Sequence, residues 1–258
     1  MDYLLFRLYG PMASWGDIAV GESRHSAVKP TKSALLGLLG ASLGLKRDDN
    51  LAQQALAEGY HFAIHVVSVG QLLKDYHTTQ APDSVGKFQY RTRCDELVIG
   101  KHRLGTVLSN REYRTNALAI VAVRALPDAK WSIHTLQQAL VSPKYHLYLG
   151  RKSCPLAAPL QAEIITANNY RQALRDYQAK TLIHKLSAWD SQEHYLPADA
   201  VQGYYWEGCI EDFSARCAQF IPEQVQQLRQ YDQPLSRERW QFQPRQEYFW
   251  QAPAQEEN

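Results

Sequence analysis

The sequence lacks the features of several large protein classes. Its four cysteines, Cys94, Cys154, Cys209 and Cys217, form neither a Cys-x-x-Cys pair nor the Cys/His spacing of a zinc site. We therefore expect reduced thiols, with no disulfide, metal or cofactor. No run approaches the roughly 18 apolar residues of a membrane span. The chain opens on a strand-like segment, residues 3–9, and not on a signal sequence, so we expect a cytoplasmic protein without membrane contact.

Charge is distributed unevenly, although the net charge of the whole chain is only +2. Residues 1–160 contain 19 Lys/Arg and 12 Asp/Glu, whereas residues 161–258 contain 9 and 14. The basic first part is therefore the better candidate for contact with nucleic acid. The alternative is an ordinary solvated surface, because such surfaces also carry lysine and arginine.

A leucine-rich segment, residues 31–44, predicts a helix that carries glycine at positions 37, 40 and 44. This spacing places Gly37, Gly40 and Gly44 on one smooth face, with the leucines turned to the core. Each interior glycine costs a helix about 1 kcal/mol relative to alanine. The pattern therefore indicates close approach by a neighbouring backbone or a ligand.

The start of this helix favours an anion. Thr31 is the predicted N-cap, and Lys29, Lys32 and Ser33 surround the free amides at the positive end of the helix dipole. A phosphate would fit there, although the order of residues is not that of a nucleotide P-loop. The alternative is a packed core helix with a solvated basic cap.

The order of predicted elements is typical of a ferredoxin-like or RNA-recognition-type fold of the α+β class. Predicted strands cover residues 3–9, 61–67, 117–123 and 145–149, and predicted helices cover residues 31–44, 51–58 and 132–141. A polar, arginine-rich insertion, residues 74–116, separates the second and third strands. Within it, the β-prone runs 96–99 and 103–108 predict a protruding hairpin.

The remainder of the chain predicts a C-terminal α+β extension. We expect helices near residues 170–178 and 222–230 and aromatic strands at 204–206 and 247–250. The predicted organisation is a core over residues 1–160, an extension over residues 161–251 packed on the core, and a disordered tail over residues 252–258.

Five motifs, in order along the chain, resemble one known family. They are residues 10–16 (GPMASWG), 30–41 (PTKSALLGLLGA), 75–78 (DYHT), 148–156 (YLGRKSCPL), and a late block with Asp232, Pro234 and Arg245. On these motifs the chain resembles the type I-E branch of the fifth CRISPR-associated protein family. The resemblance implies a non-catalytic subunit of the Cascade surveillance complex that grips the 5′ handle of the CRISPR RNA. It also implies a thumb formed by residues 74–116, contacts with the backbone and large subunits, and only indirect contact with target DNA.

Recognition of a single-stranded RNA end needs donors for phosphates, flat groups for unstacked bases and close backbone approach. The predicted phosphate contacts are Lys29, Lys32, Ser33, Arg151, Lys152 and Ser153. The predicted rings for base stacking are Trp15, Tyr76 or Tyr113, and the predicted contacts of the thumb are Arg91, Arg93, Arg111 and Arg114. Gly37 and Gly40 would allow close approach of the RNA to the backbone. Arg24, His25 and His77 complete the predicted RNA-binding set.

Several of these assignments have alternatives. Trp15 could be a packed aromatic plug, and the placement of Tyr145 and Tyr148 on a predicted strand favours core positions over stacking. A different function is metal-independent cleavage of precursor CRISPR RNA, which needs a base and an acid. The side chains available for those roles are His25, Lys74, Tyr76 and His77. A third function is a scaffold whose basic face meets an acidic protein.

Overall fold

The chain forms two β-sheets flanked by helices in a computed structural model that describes residues 1–16, 19, 21–83, 89–98, 101–178, 203–217, 219–236, 239 and 241–252. The strands are β1 (Asp2–Tyr9), β2 (Met12–Ala13), β3 (Ser23–Arg24), β4 (Tyr60–Ser68), β5 (Gln71–Pro82), β6 (Leu104–Thr115), β7 (Leu118–Ala125), β8 (Glu163–Thr166), β9 (Gly203–Trp206), β10 (Gln226–Ser236) and β11 (Gln241–Gln251). The helices are α1 (Lys32–Leu43), α2 (Asn50–Glu58), α3 (Arg93–Val98), α4 (Ile133–Val141) and α5 (Tyr170–Gln178), with 3₁₀ turns at Lys101–Arg103 and Pro222–Gln224. The predicted α+β class is confirmed.

The larger sheet has seven strands in the order β10-β11-β9-β4-β7-β1-β8, and neighbouring strands are antiparallel. Its central strands are buried on both faces because their side chains alternate between two cores. In β1, Leu4 and Phe6 enter the core shared with α1, α2 and α4. Tyr3 and Leu5 enter a second core shared with α5 and the aromatic residues of the C-terminal part.

The smaller sheet has the order β2-β6-β3, and β5 pairs with β6 beside them. The register of β5 and β6 runs without interruption from Gln71 opposite Thr115 to Pro82 opposite Leu104. At about 3.4 Å per residue, this ribbon extends for roughly 40 Å. Its root lies against β2 and β3, and most of the β5 side chains are exposed to solvent.

Two predicted elements within and after the insertion are wrong. Of the predicted run 96–99, residues 96–98 are helical and residue 99 lies outside the described residues. The helix begins at a capping box of Thr92 and Asp95, in which each side chain accepts the other's backbone amide at 3.1 Å. The arms of the hairpin are therefore β5 and β6. Residues 145–149 contain only an isolated bridge, between Tyr148 and Pro155, and the amide of Tyr145 donates to Ala41 at the end of α1. The strand that pairs beside β1 is β8.

The C-terminal part also departs from its predicted pattern. Pro222 begins a single 3₁₀ turn, and the chain then enters β10, whose register with β11 begins at Gln226 opposite Phe249. The predicted helix over residues 222–230 is therefore wrong, whereas α5 and β9 lie where they were expected. Of the predicted tail, Ala252 is buried, and residues 253–258 lie outside the described residues.

No helix within the described ranges is long and apolar enough to cross a membrane.

Candidate nucleic-acid interface

The start of α1 is occupied by a carboxylate from the chain itself. Thr31 caps α1 as predicted, since its Oγ1 accepts the amide of Ala34 at 3.3 Å. Asp232 Oδ2, from β10, accepts the amide of Lys32 at 2.6 Å, and Arg245 Nε donates to Asp232 Oδ1 at 2.6 Å. Burial raises the pKa of Asp232, but the charges and hydrogen bonds of Arg245, with further help from Lys29, lower it overall. An ionised internal carboxylate therefore fills the predicted anion position.

Both lysines at this helix end are buried in ion pairs. Lys29 Nζ lies 2.9 Å from Glu247 Oε1, and Lys32 Nζ lies 2.9 Å from Glu207 Oε1. We call Lys29, Lys32, Glu207, Asp232, Arg245 and Glu247 the buried ion cluster. The structure does not support phosphate contacts by Lys29 and Lys32, because their charges are neutralised internally. Ser33 Oγ lies 3.3 Å from Thr31 Oγ1, at the helix end that Asp232 already occupies. The structure therefore gives no support to its predicted phosphate contact.

The three glycines of α1 do not form one face for a ligand. Gly40 is buried against α2, where an added Cβ would lie 3.6 Å from Leu56 Cδ2. Gly44 ends the helix in the left-handed region with φ of 74°. Gly37 is exposed, so of the two predicted positions only Gly37 remains available for backbone approach.

The predicted stacking residues have different surroundings. Trp15 is only 4% exposed and belongs to the core, in agreement with the alternative that it is a packed aromatic plug. Tyr113 is 7% exposed, and the guanidinium of Arg151 lies over its ring, 4.8 Å from the centroid. Neither ring offers a free face for a base. Tyr76 is largely exposed, and its predicted role stays a prediction.

The smaller sheet brings distant basic residues onto one face. Arg24 of β3 pairs in register with Arg111 of β6, and Tyr113 lies two residues further along the same face. Arg151 reaches that face through its contact with Tyr113. We call Arg24, Arg111, Tyr113 and Arg151 the basic face. Arg151 Nη1 is buried and has no hydrogen-bond partner within the described part of the chain.

The opposite face of this sheet is organised around Glu112. Its carboxylate accepts the amide of Ser26 at 3.2 Å and lies 3.2 Å from His25 Nδ1 and 3.6 Å from Lys74 Nζ. Burial raises the pKa of Glu112, but the Ser26 amide and the charges of His25 and Lys74 lower it overall. The alternation of β5 places Tyr76 on the face of Lys74.

Two further predicted residues divide between these faces. Arg114 shares the face of Glu112, since the two lie two residues apart on β6, and its Nε is buried without a partner among the described residues. His77 points to the side of Arg111, with its Nδ1 3.8 Å from Asp75 Oδ2. The residues considered for acid and base roles are therefore split, with His77 apart from the other three.

Arg91 and Arg93 lie toward the far end of the ribbon. Arg93 Nη2 donates to the carbonyl of Gln80 at 2.6 Å, and its Nη1 pairs with Glu96. Arg91 is exposed, and its amide donates to Asp95 at 3.2 Å. The structure thus separates these two arginines from the basic face, and any RNA contact they make would be a distinct one.

The turn that carries Arg151, Lys152 and Ser153 is anchored by its first residue. Gly150 has φ of 84°, and an added Cβ would overlap the carbonyl oxygen of Ser14. The amide of Ser14 donates to Leu149 at 3.0 Å, and the amide of Cys154 closes the turn on Arg151 at 2.9 Å. Lys152 and Ser153 are exposed on this fixed backbone.

Replacing Gly150 with alanine is expected to lower the free energy of unfolding by about 1–3 kcal/mol, because the backbone conformation is strained for any L side chain and the new Cβ would overlap the carbonyl oxygen of Ser14. Urea denaturation measures the change. Gly16→Ala is the matched control, since a Cβ at Gly16 meets nothing within 4 Å. Equal stability of the two variants would contradict the anchoring contact between Gly150 and Ser14.

Two tyrosines that the sequence favoured for the core are exposed. Tyr145 and Tyr148, placed in the core by the predicted strand, are 50% and 40% exposed. A signal was present in their surroundings: no Asp or Glu lies between Asp128 and Glu163, although these residues account for 26 of 258 in the chain. Because the segment carries no acidic side chain, none of its own side chains repels the phosphates of a nucleic acid.

Comparison with known proteins gives consistent results. Residues 3–248 match the family model described as CRISPR-associated protein (Cas_Cas5). The CRISPR system Cascade subunit CasD of Escherichia coli strain K12 is 38% identical over 186 residues, which cover 69% of this chain and 77% of that protein. Two solved structures support the fold alone. One, described as a CRISPR RNA-guided surveillance complex, has a TM-score of 0.60 and 21% identity, over 97% of this chain and 89% of its own. The other, described as a crystal structure of a Cas protein, has a TM-score of 0.57 and 22% identity, and the match covers 98% of this chain and 95% of that one.

The family match extends over nearly the whole chain, from β1 into β11. The alignment with the K12 relative covers 69% of the chain, which is more than two thirds, at 38% identity. On both grounds, the chain belongs to the CRISPR-associated protein (Cas_Cas5) family.

Proposed function

We propose that this chain is a non-catalytic, RNA-binding subunit of a type I-E Cascade complex that holds the 5′ handle of the CRISPR RNA. The observation that carries the proposal is the basic face, where Arg24 pairs in register with Arg111 and Arg151 lies over Tyr113, although these residues are far apart in sequence. Cations on a rigid sheet suit an RNA backbone, because phosphates are bound chiefly by charge and hydrogen bonds. The name of the K12 relative supports the assignment to Cascade.

The topology supports a ferredoxin-like, RNA-recognition-type core. Its elements would be β1-α1-β4-β7-α4-β8, and their strand order in the sheet, β4-β7-β1-β8, is antiparallel throughout. In this proposal the β5–β6 ribbon, within the predicted insertion 74–116, is the thumb. Because β8 (Glu163–Thr166) belongs to this core, the core would extend past the predicted boundary at residue 160, and strands β9 to β11 of the predicted extension 161–251 would share the large sheet with it.

In this proposal the phosphate contacts come from the basic face and the adjoining turn. Arg24, Arg111 and Arg151 would hold the backbone of the handle, and Lys152 with Ser153 would add donors beside Arg151. Arg91 and Arg93 would contact RNA or a neighbouring subunit from the end of the ribbon. We further propose that the chain works in the cytoplasm, joins the backbone and large subunits, and meets target DNA only through the complex.

A second candidate function, metal-independent cleavage of precursor RNA, rests on one observation. His25 lies against Glu112 beside Lys74, and a carboxylate that orients an imidazole is a common acid–base arrangement. The pair is also explained without catalysis, because Glu112 accepts the amide of Ser26 and thereby fixes the loop between β2 and α1. We favour the structural role.

The test is to mix the purified chain with labelled CRISPR repeat RNA, with and without EDTA, and to follow mobility shift and cleavage together. The proposal predicts a salt-sensitive shift with intact RNA. Discrete cuts that persist in EDTA and disappear in His25→Ala would establish the nuclease instead. Absence of a shift at low salt, with a folded chain, would favour a scaffold that binds an acidic protein.

A further inference from the structure

Three exposed rings lie on the segment between α4 and the Gly150 turn. Tyr145 and Tyr148 expose half and two fifths of their side chains, and His146 between them is also exposed. The backbone that carries them is fixed: the amide of Tyr145 donates to Ala41 at 3.2 Å, and Tyr148 forms a bridge with Pro155. The rings are therefore presented to solvent by a rigid support.

The charge around these rings favours a polyanion. Lys144 precedes them and Arg151 and Lys152 follow them, in a stretch of 34 residues that contains no carboxylate side chain. Aromatic rings interleaved with cations bind single-stranded nucleic acid, because bases stack on the rings while the cations follow the phosphates.

The rings are also close in sequence to the basic face. Two residues after Tyr148 the chain reaches Gly150, and the next residue, Arg151, lies over Tyr113 on the basic face. A strand of RNA whose phosphates contact Arg151 would thus have aromatic side chains available nearby for its bases. Trp15 and Tyr113, which the sequence also predicts as stacking rings, are buried.

We propose that Tyr145, His146 and Tyr148 form a stacking platform for unpaired bases of single-stranded RNA. The inference rests on the proposed RNA-binding function and assigns a part of the same site. Stacking tolerates any base, because every base has a π-face, so the platform adds affinity for unpaired RNA without specifying its sequence. A base-paired RNA gains nothing from it.

The test measures RNA affinity for the double variants Tyr145→Ala/Tyr148→Ala and Tyr145→Phe/Tyr148→Phe. With single-stranded repeat RNA, the alanine pair is expected to weaken binding roughly tenfold or more, and the phenylalanine pair to stay within about twofold. The slope of log Kd against log salt is expected to stay unchanged in both, because a neutral ring releases no counterions.

The outcomes separate this inference from the proposed function. If the alanine pair binds RNA normally while Arg24→Glu/Arg111→Glu binds poorly, the platform is wrong and RNA binding stands. If the unaltered chain binds no RNA, both are wrong. If the alanine pair keeps its RNA affinity but fails to join the other Cascade subunits, the rings form a protein contact and the platform is again wrong.

Discussion

Replacing Arg245 with methionine is expected to lower the free energy of unfolding by about 3–5 kcal/mol. Arg245 donates to Asp232 and Glu247 and lies 3.3 Å from Glu207 Oε1. Its loss would leave two buried carboxylates, Glu207 and Glu247, and the largely buried Asp232 facing only the two lysines of the cluster. Removing one partner of a buried ion pair is costly because the remaining charge is poorly solvated. Urea denaturation followed by circular dichroism gives the change.

The matched control for this variant is Arg216→Met. Arg216 also pairs with a glutamate, Glu223, but both side chains are about two thirds exposed. Water replaces such a contact, so we expect the midpoint of denaturation to move little. If the two variants were equally stable, the buried ion cluster would not hold the extension against α1.

Reversing two charges on the basic face, as Arg24→Glu/Arg111→Glu, is expected to weaken binding to repeat RNA by at least tenfold at about 0.1 M salt. The slope of log Kd against log salt should fall by about two, because each lost phosphate contact lowers it by about one. The two arginines lie opposite each other in the sheet register, so the reversal places two carboxylates where the phosphate backbone would pass. Fluorescence anisotropy over a salt series measures both quantities.

Net charge is controlled with Arg216→Glu/Arg239→Glu. Both arginines are exposed and lie outside the smaller sheet, and their reversal changes the net charge by the same amount. We expect this pair to bind RNA nearly as well as the unaltered chain. Equal losses in the two pairs would mean that only overall charge matters and that the basic face is not the contact.

Local sequence signals predicted much of the fold. Thr31 caps α1, β1 and β7 are mostly apolar, and α4 begins at its Ser132 cap. Each of these signals lies within a few residues of the element it specifies. The strand next to β1 was misplaced because the aromatic run 145–149 has the composition of a strand, while β8 is short and only half apolar.

Long-range pairing is the part that the sequence could not predict. Lys32 and Asp232 are 200 residues apart, and so no periodicity links them. A lysine at a helix start has the same pattern whether it meets a phosphate or an internal carboxylate, and only the path of β10 and β11 decides between the two. Arg24 and Arg111 are each recognisable as basic residues in the sequence, but their juxtaposition depends on the parallel pairing of β3 with β6.

The capping box of α3 was a local signal that could have been recognised. Thr92 followed three residues later by Asp95 is a standard helix start, yet the β-branched residues further on favoured a strand. The exposed tyrosines had a signal of a different kind, in the absence of acidic residues around them.

Crosslinking within an assembled complex tests the central claim most directly. The chain would be assembled with the other Cascade subunits on a CRISPR RNA that carries photoreactive nucleotides either in the 5′ handle or near the 3′ end, and the crosslinked peptides identified. We expect crosslinks from the handle to peptides that contain Arg111 and Arg151, and none from the 3′ end. Crosslinks from the 3′ end, or a handle that reacts only with other subunits, would contradict it.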